Sequence, residues 1–456
     1  MVVIETGTGC EAARRHAVTT VFRDFLGLDA TILIADRHDW RISVPGQASS
    51  LTLPDAFFAR AGQAWLSPES LPPPPLRISR QAGDLPVLYG ANHSNCEASR
   101  PSGTGGHIEI DIFGAIFFML TRYEEATLTD RDRHGRFPAT ASLASQAGFL
   151  QRPLVDEYVN LLWRHMQAVW PGITRRACTF QVHPSHDVDT PYSHAITGLA
   201  TATRRLAGDL FKRHSAKLAA RRFSQWARVR SGNIAADPYD THDWLMDASE
   251  RLGTTSTFHF MAGRTDPRRD GGYAIGHPLI RRLLKRIHQR GHTIGLHPSF
   301  NTYCNATEIR RELQRLCTVC REEGIDQPLW PSRQHYLRWD ARVTPRMLAE
   351  AGIEIDASLG YPDAAGFRCG TCHEFQLFDL VAGEPLPTRE RPLIVMDQTI
   401  LSPAYMGMAP DETTLALIGK LKDHCRNVAG NFSLLWHNST VSDSKAKAFY
   451  LDVLAL

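Results

Sequence analysis

Two aspartates one residue apart, Asp187 and Asp189 in Ser185-His186-Asp187-Val188-Asp189-Thr190-Pro191, follow a strand that the hydrophobic pattern ends near Val182. In extended backbone alternate side chains share a face, so both carboxylates point one way while Val188 points into the core. Like charges placed together call for a cation or a proton, which suits one metal-ligating carboxylate beside one general base. In Gly291-His292-Thr293-Ile294-Gly295-Leu296-His297-Pro298-Ser299-Phe300-Asn301, His297 lies past an apolar strand in a proline-containing turn, where a neutral imidazole can face a metal. His292 precedes that strand and reads as structural. Trp330-Pro331-Ser332-Arg333-Gln334-His335-Tyr336 and Asp356-Ala357-Ser358 set an arginine and an aspartate at successive strand ends, which suits a charge-assisted pair that holds a catalytic carboxylate. The apolar run Leu434-Leu435-Trp436 delivers His437 at its end.

The elements that must hold these side chains alternate. Strands read at Thr255–Phe260, His292–Leu296, Gly352–Ile355 and Phe432–Trp436, and helices at Pro278–Gln289 and Thr307–Glu323. Such alternation implies βα units and a largely parallel sheet or barrel, whose active sites gather at the carboxyl ends of the strands. Upstream the pattern is mixed, with strands at Ala30–Ala35 and Leu51–Leu53, a helix over Ile110–Glu125 and a second over Leu154–Trp170. Pro171-Gly172 then breaks the chain. The fold class is therefore α/β, with a smaller α/β domain over residues 1–172 and a larger one over 173–456.

In this order the clusters resemble the five motifs of the polysaccharide deacetylases, carbohydrate esterase family 4. The resemblance runs from Thr179 to Ser439: Asp187 and Asp189 match the first motif, Gly291 to His297 the second, Arg333 the third, Asp356 the fourth and His437 the fifth. Phe117 to Glu125 resembles the accessory domain that precedes a deacetylase domain in one bacterial subgroup. The resemblance implies a distorted (β/α) barrel, with Asp187 as general base, Asp189 and His297 as metal ligands, and His437 as general acid. Arg333, paired with Asp356, would orient Asp187. The implied cofactor is a divalent metal, most simply Zn²⁺. Family members place a second histidine four residues after the first, and here that position is Asn301; the third donor is open among Asn301, Ser299, His186 and His335. His335, Tyr336, Arg368 and Asn438 are the candidates for substrate contact.

Composition bounds the rest. The 456 residues carry 51 Lys+Arg against 48 Asp+Glu, with 43% hydrophobic and 22% charged residues, which excludes disorder and collagen. A formal net charge of +3 gives no argument for nucleic acid. The sequence lacks a run of about 18 apolar residues, and its first residues lack the basic and apolar stretches of an export signal. Nine cysteines is an odd number in a chain too large to need disulfide staples, so a reducing cytoplasm is expected. Cys317/Cys320 and Cys369/Cys372 form two C-x-x-C pairs that read as core cysteines, and the haem-attachment pattern from Cys369 to His373 needs export.

One stretch, Thr201 to Arg230, holds nine Lys/Arg against the single acid Asp209, inside a helical insertion over about 195–235. It reads as a solvated helical face, or as a landing surface for an anionic membrane or a phosphate-bearing substrate. The combined expectation is a cytoplasmic, metal-dependent hydrolase that removes the N-acetyl group of an amino sugar, on a carrier-linked precursor of a surface polysaccharide. The alternatives are a deformylase or other linear C–N hydrolase on the same fold, and a weakly catalytic sugar-binding protein. The sequence carries no signal for the sugar or the oligomeric state.

Overall fold

Asp111 caps a wholly buried helix, Ile112–Leu120: its Oδ1 accepts from Gly114 N at 2.9 Å and its Oδ2 from Ala56 N and Phe57 N at 2.8 Å. Apolar side chains surround this helix on every side, as a buried helix requires. The sequence pattern ran it on to Glu125, but Arg122 takes a left-handed φ of 53° and starts a second turn, Tyr123–Thr127. That conformation costs roughly 1–2 kcal/mol. It is offset where Arg122 meets Glu124 at 2.8 Å and Glu125 at 2.9 Å, all three buried.

The computed structural model describes residues 1–79, 81, 83–90, 105–196 and 198–456. Along the chain run β1 (Val2–Thr6), β2 (Ala30–Ile34), β3 (Asp39–Ser43), β4 (Ser50–Pro54), β5 (Arg77–Ile78), β6 (Pro86–Val87), β7 (Gly106–His107) and β8 (Gln181–Val188). They are followed by β9 (Thr257–Phe260), β10 (Thr293–Leu296), β11 (Ile355–Asp356), β12 (Phe375–Asp379), β13 (Glu384–Glu390), β14 (Val395–Met396) and β15 (Asn431–Leu435). The helices expected at 278–289 and 307–323 are Pro278–Gln289 and Ala306–Glu322, and Leu154–Val169 is the upstream amphipathic one.

Packing divides the chain into two compact units that are not contiguous in sequence. The first joins residues 1–181 to 336–394 and 421–432. It contains a mixed sheet, β2-β1-β3-β4-β7, and a three-stranded sheet, β11-β13-β12. A division at 172/173 would assign 336–394 and 421–432 to the second part. They pack with the first because the Phe378 ring meets His16 at a tilt and Phe117 edge-on, with ring centroids 5.0 and 5.1 Å apart, and because Arg368 pairs with Glu125 at 2.6 Å.

The second unit holds the strands that carry the candidate site, in the order β10-β9-β8-β15-β14. β8, β9 and β10 are parallel neighbours, as are β14 and β15. Between β8 and β15 the bonded positions climb together, Gln181 to Gly430 and then Ser185 to Trp436, so this pair is parallel too. β8 begins later than the pattern suggested and carries Asp187 within it, because the buried run from Pro184 to Val188 is its core portion. The basic stretch forms two helices, Leu199–Phe211 and Ala216–Arg230, and the buried Asp209 pairs with Arg213 at 2.7 Å and Arg222 at 3.1 Å. Among the described residues no helix is long and apolar enough to cross a membrane.

Candidate active site

Parallel strands end on the same side, and the chemistry gathers there. Asp187 of β8 stands in register with His259 of β9, which stands in register with Gly295 of β10. A Cβ on Gly295 would lie 2.5 Å from His259 Cδ2 and 2.8 Å from Pro331 O, so only glycine lets the His259 ring occupy that row. Two residues beyond Gly295 comes His297, whose amide is held by Phe260 O at 2.8 Å. An isolated bridge between Leu296 and Ser332 brings Arg333 and His335 alongside. β14 and β15 pair Val395 with Leu434, so the residues just past them, Asp397 and His437, fall together.

Asp187 is buried, and its Oδ1 accepts from Arg333 Nη1 at 3.1 Å beside His259 Nδ1 at 3.2 Å. Burial works against this carboxylate, but the charges of His297 and Arg333 outweigh it and hold the carboxyl well below its usual range. Arg333 also donates to Ser185 Oγ at 2.9 Å. For His259, burial and then the Arg333 charge push the pKa down to about 4, so it faces Asp187 as a neutral ring.

Asp189 is the meeting point of three imidazoles. Its Oδ1 lies 3.2 Å from His297 Nε2 and 3.6 Å from His335 Nε2, and its Oδ2 lies 3.6 Å from His437 Nε2. Ligand atoms of Asp189, His297 and His335 all fall within 4.8 Å of one another. Each of the two histidines is oriented from behind: His297 Nδ1 by Arg333 O at 2.6 Å, and His335 Nδ1 by Asp270 Oδ1 at 3.0 Å. Asp270 in turn accepts from Thr265 N, Asp266 N and Phe300 N. Burial opposes its charge, yet the hydrogen bonds from His335 and the backbone bring its carboxyl down to about 2.

The donor set fits a divalent cation. Two imidazole nitrogens and a carboxylate oxygen converge, and Asp189 Oδ1 is buried without a hydrogen bond, an acceptor left for a ligand.

Of the other third-ligand candidates, Asn301 is exposed and donates its amide to Thr265 O, and Ser299 is bonded to Glu312 and Thr265. His186 lies between Trp436 O at 2.7 Å and Ser256 Oγ at 3.3 Å. The geometry therefore groups His335, and not Asn301, with Asp189 and His297.

His437 Nδ1 meets Asp397 Oδ1 at 2.7 Å, while Asp397 Oδ2 accepts His437 N at 3.0 Å. Burial disfavours its charge, but Asp397 more than compensates and raises its pKa to about 10. The Asp397 contact thus favours the protonated ring.

Asp356 falls in the other unit, where its Oδ1 accepts from Ser358 Oγ at 2.9 Å. Arg368 was expected at the substrate; it is instead 1% exposed, with Nε and Nη2 on Glu125 and Nη1 on Gly360 O, so its donors are spent within the core. Asn438 is buried and ties Thr190 O to Tyr239 O. Tyr336 carries a left-handed φ of 63°, and its carbonyl accepts from Arg136. Sequence reasoning missed His259, Asp270 and Asp397.

Residues 2–171 match the model of a family of unknown function (DUF7033). No curated protein matches. Among solved structures, the chain is similar to a protein described as a polysaccharide deacetylase from Mycobacterium smegmatis, at 16% identity and TM-score 0.38 over 61% of this chain and 84% of that one. It is similar to Puue allantoinase at 13% identity and TM-score 0.38, over 63% of this chain and 85% of that one. It is also similar to the Xyl-CE4 domain of a xylanase from the hindgut metagenome of Trinervitermes trinervoides, at 10% identity and TM-score 0.28 over 61% and 82%.

Proposed function

We propose that the second unit is a metal-dependent amide hydrolase that removes the N-acetyl group from an amino sugar, its parallel strands being those of a distorted (β/α) barrel. The observation that carries this reading is the placement of Asp189 among His297, His335 and His437 beside an Asp187 held by Arg333. Asp189, His297 and His335 would hold a divalent cation, most simply Zn²⁺, which supplies Lewis-acid polarisation of a carbonyl and acidifies adjacent water.

The chain's own residues do the rest. Asp187 takes the proton of the attacking water. Arg333 keeps it ionised and so ready to accept that proton. Arg333 and His259 fix its orientation. His437, in its protonated form, gives its proton to the departing nitrogen, and Asp397 holds the ring in place to do so. Amide hydrolysis needs both a base for water and an acid for a poor leaving group, and Asp187 and His437 supply the two.

The substrate class, an N-acetylated sugar or glycan precursor, rests on the ordered motifs. A carrier-linked precursor in the cytoplasm suits the basic helices, where Arg204, Lys212, Lys217 and Arg221 are exposed, as are Phe211 (77%) and Leu199 (60%). Exposed cations together with exposed apolar side chains are what an anionic membrane surface attracts. The test is release of acetate from N-acetylated amino-sugar oligomers by the chelator-stripped chain with Zn²⁺, Co²⁺ or Mn²⁺ restored. No acetate under any of these metals, with Asp187→Asn indistinguishable from wild type, would overturn the reading.

A further inference from the structure

The first unit holds a second set of converging donors, remote in chemistry from the one just described. Asp156, on the helix Leu154–Val169, turns its carboxylate toward the turn Thr371-Cys372-His373, where Thr371 Oγ1 donates to Oδ1 at 2.7 Å and Cys372 N to Oδ2 at 3.1 Å. Cys372 Sγ lies 3.6 Å from Oδ2. Ligand atoms of Asp156, Cys372 and His373 lie within 4.8 Å of one another. Cys372 is buried, as is the neighbouring thiol of Cys425. The His373 ring is held by Val428 O, 3.3 Å from Nε2.

We propose that Asp156, Cys372 and His373 form a metal site, a thiolate, imidazole and carboxylate centre for a borderline-soft divalent cation such as Zn²⁺. Three protein donors of these types with one position left open are a usual complement of a tetrahedral cation. A cation would compensate the buried carboxylate and thiolate together, and binding would send the Cys372 thiol proton to solvent.

Two features beyond the donors support it. Gly430 makes the space: a Cβ there would stand 2.3 Å from Cys372 Sγ and 3.2 Å from His373 Nε2. A cavity of about 340 Å³ lined by Asp156, His373, Cys178 and Phe25 gives an ion a way in. The C-x-x-C spacing is incidental, since Cys369 faces the Arg122 and Arg368 charges and is not among the donors that converge at Cys372.

Sulfur ligation separates this centre from the one at Asp189, which has none. The full chain, stripped with chelator and titrated with Co²⁺, should develop a thiolate-to-cobalt charge-transfer band. Asp189→Ala should keep that band, and Cys372→Ser should lose it together with one equivalent of bound metal. His373→Ala, at a half-buried position that burdens folding less, should weaken Co²⁺ affinity at this site at least tenfold. A wild-type chain saturated with Co²⁺ and showing no such band overturns the proposal, as does a band and affinity unchanged in His373→Ala or in Cys372→Ser.

Discussion

His437 Nδ1 stands 2.7 Å from Asp397 Oδ1, and this contact sets the charge of the ring. An imidazole pKa raised to about 10 keeps the donor form across neutral pH and loses it only as pH climbs through that value. Asp397→Asn removes the counter-charge, so the alkaline limb of the rate profile should move down toward neutral pH. His437→Ala should cost about 10²-fold to 10⁴-fold in rate. A limb that stays in place in Asp397→Asn would refute the acid role.

The ligand set predicts a contrast between two positions. His335→Ala and Asp189→Ala should each lose the metal at this site, whereas Asn301→Ala should retain it. Asp270→Asn, which loosens His335 without removing it, should weaken metal affinity about 10-fold to 100-fold. Equal metal content in His335→Ala and wild type, by elemental analysis, would return the third ligand to another residue.

Asp187→Asn should keep its metal and lose about 10²-fold to 10⁴-fold in kcat, as expected for removal of a general base. A parallel loss of metal would make Asp187 a ligand instead.

Glu312 offers a pH test independent of catalysis. This carboxyl accepts from Ser299 N at 2.9 Å and from the Ser299 hydroxyl, and burial, ahead of those bonds, raises its pKa from 4.5 to about 7. A raised folded pKa means stability present below about 4.5 and lost as pH rises to about 7, because the unfolded chain releases the proton first. Urea unfolding of wild type should therefore weaken across that window relative to Glu312→Gln. Parallel pH profiles for the two proteins would refute it.

The basic helices are tested with vesicles. Reversing the exposed Arg204, Lys217 and Arg221 to Glu should abolish binding to anionic vesicles at low salt, and in wild type binding should fade with salt, since exposed charges are screened over about 8 Å at physiological ionic strength. Wild type that ignores anionic vesicles at low salt reduces the pair to a solvated face.

The sequence made the strand ends legible because each motif is local: Asp187 with Asp189, His297 after its strand, His437 after β15. His259 was hidden because its role depends on register. It shares a strand with Phe258 and Phe260, and only pairing with β8 sets it against Asp187. Asp397 follows a two-residue strand, too short to carry a pattern. Asn301 took the expected ligand position by sequence count. His335 reaches Asp189 from a separate segment, a long-range placement that spacing cannot encode. Arg368 read as a loop arginine near a ligand, and its burial against Glu125 joins residues far apart in the chain.

The discontinuous first unit has a consequence for how the protein must be made. While residues 1–181 emerge from the ribosome, Phe117 lacks Phe378 and the buried Glu125 lacks Arg368. These partners arrive only after the intervening 154 residues from 182 to 335, so the first-synthesised segment waits as a partly exposed nascent chain. Pairing across that separation adds non-local contacts, which slow folding. An expression clone cut near residue 172 should yield an aggregating fragment, whatever the intact chain's solubility.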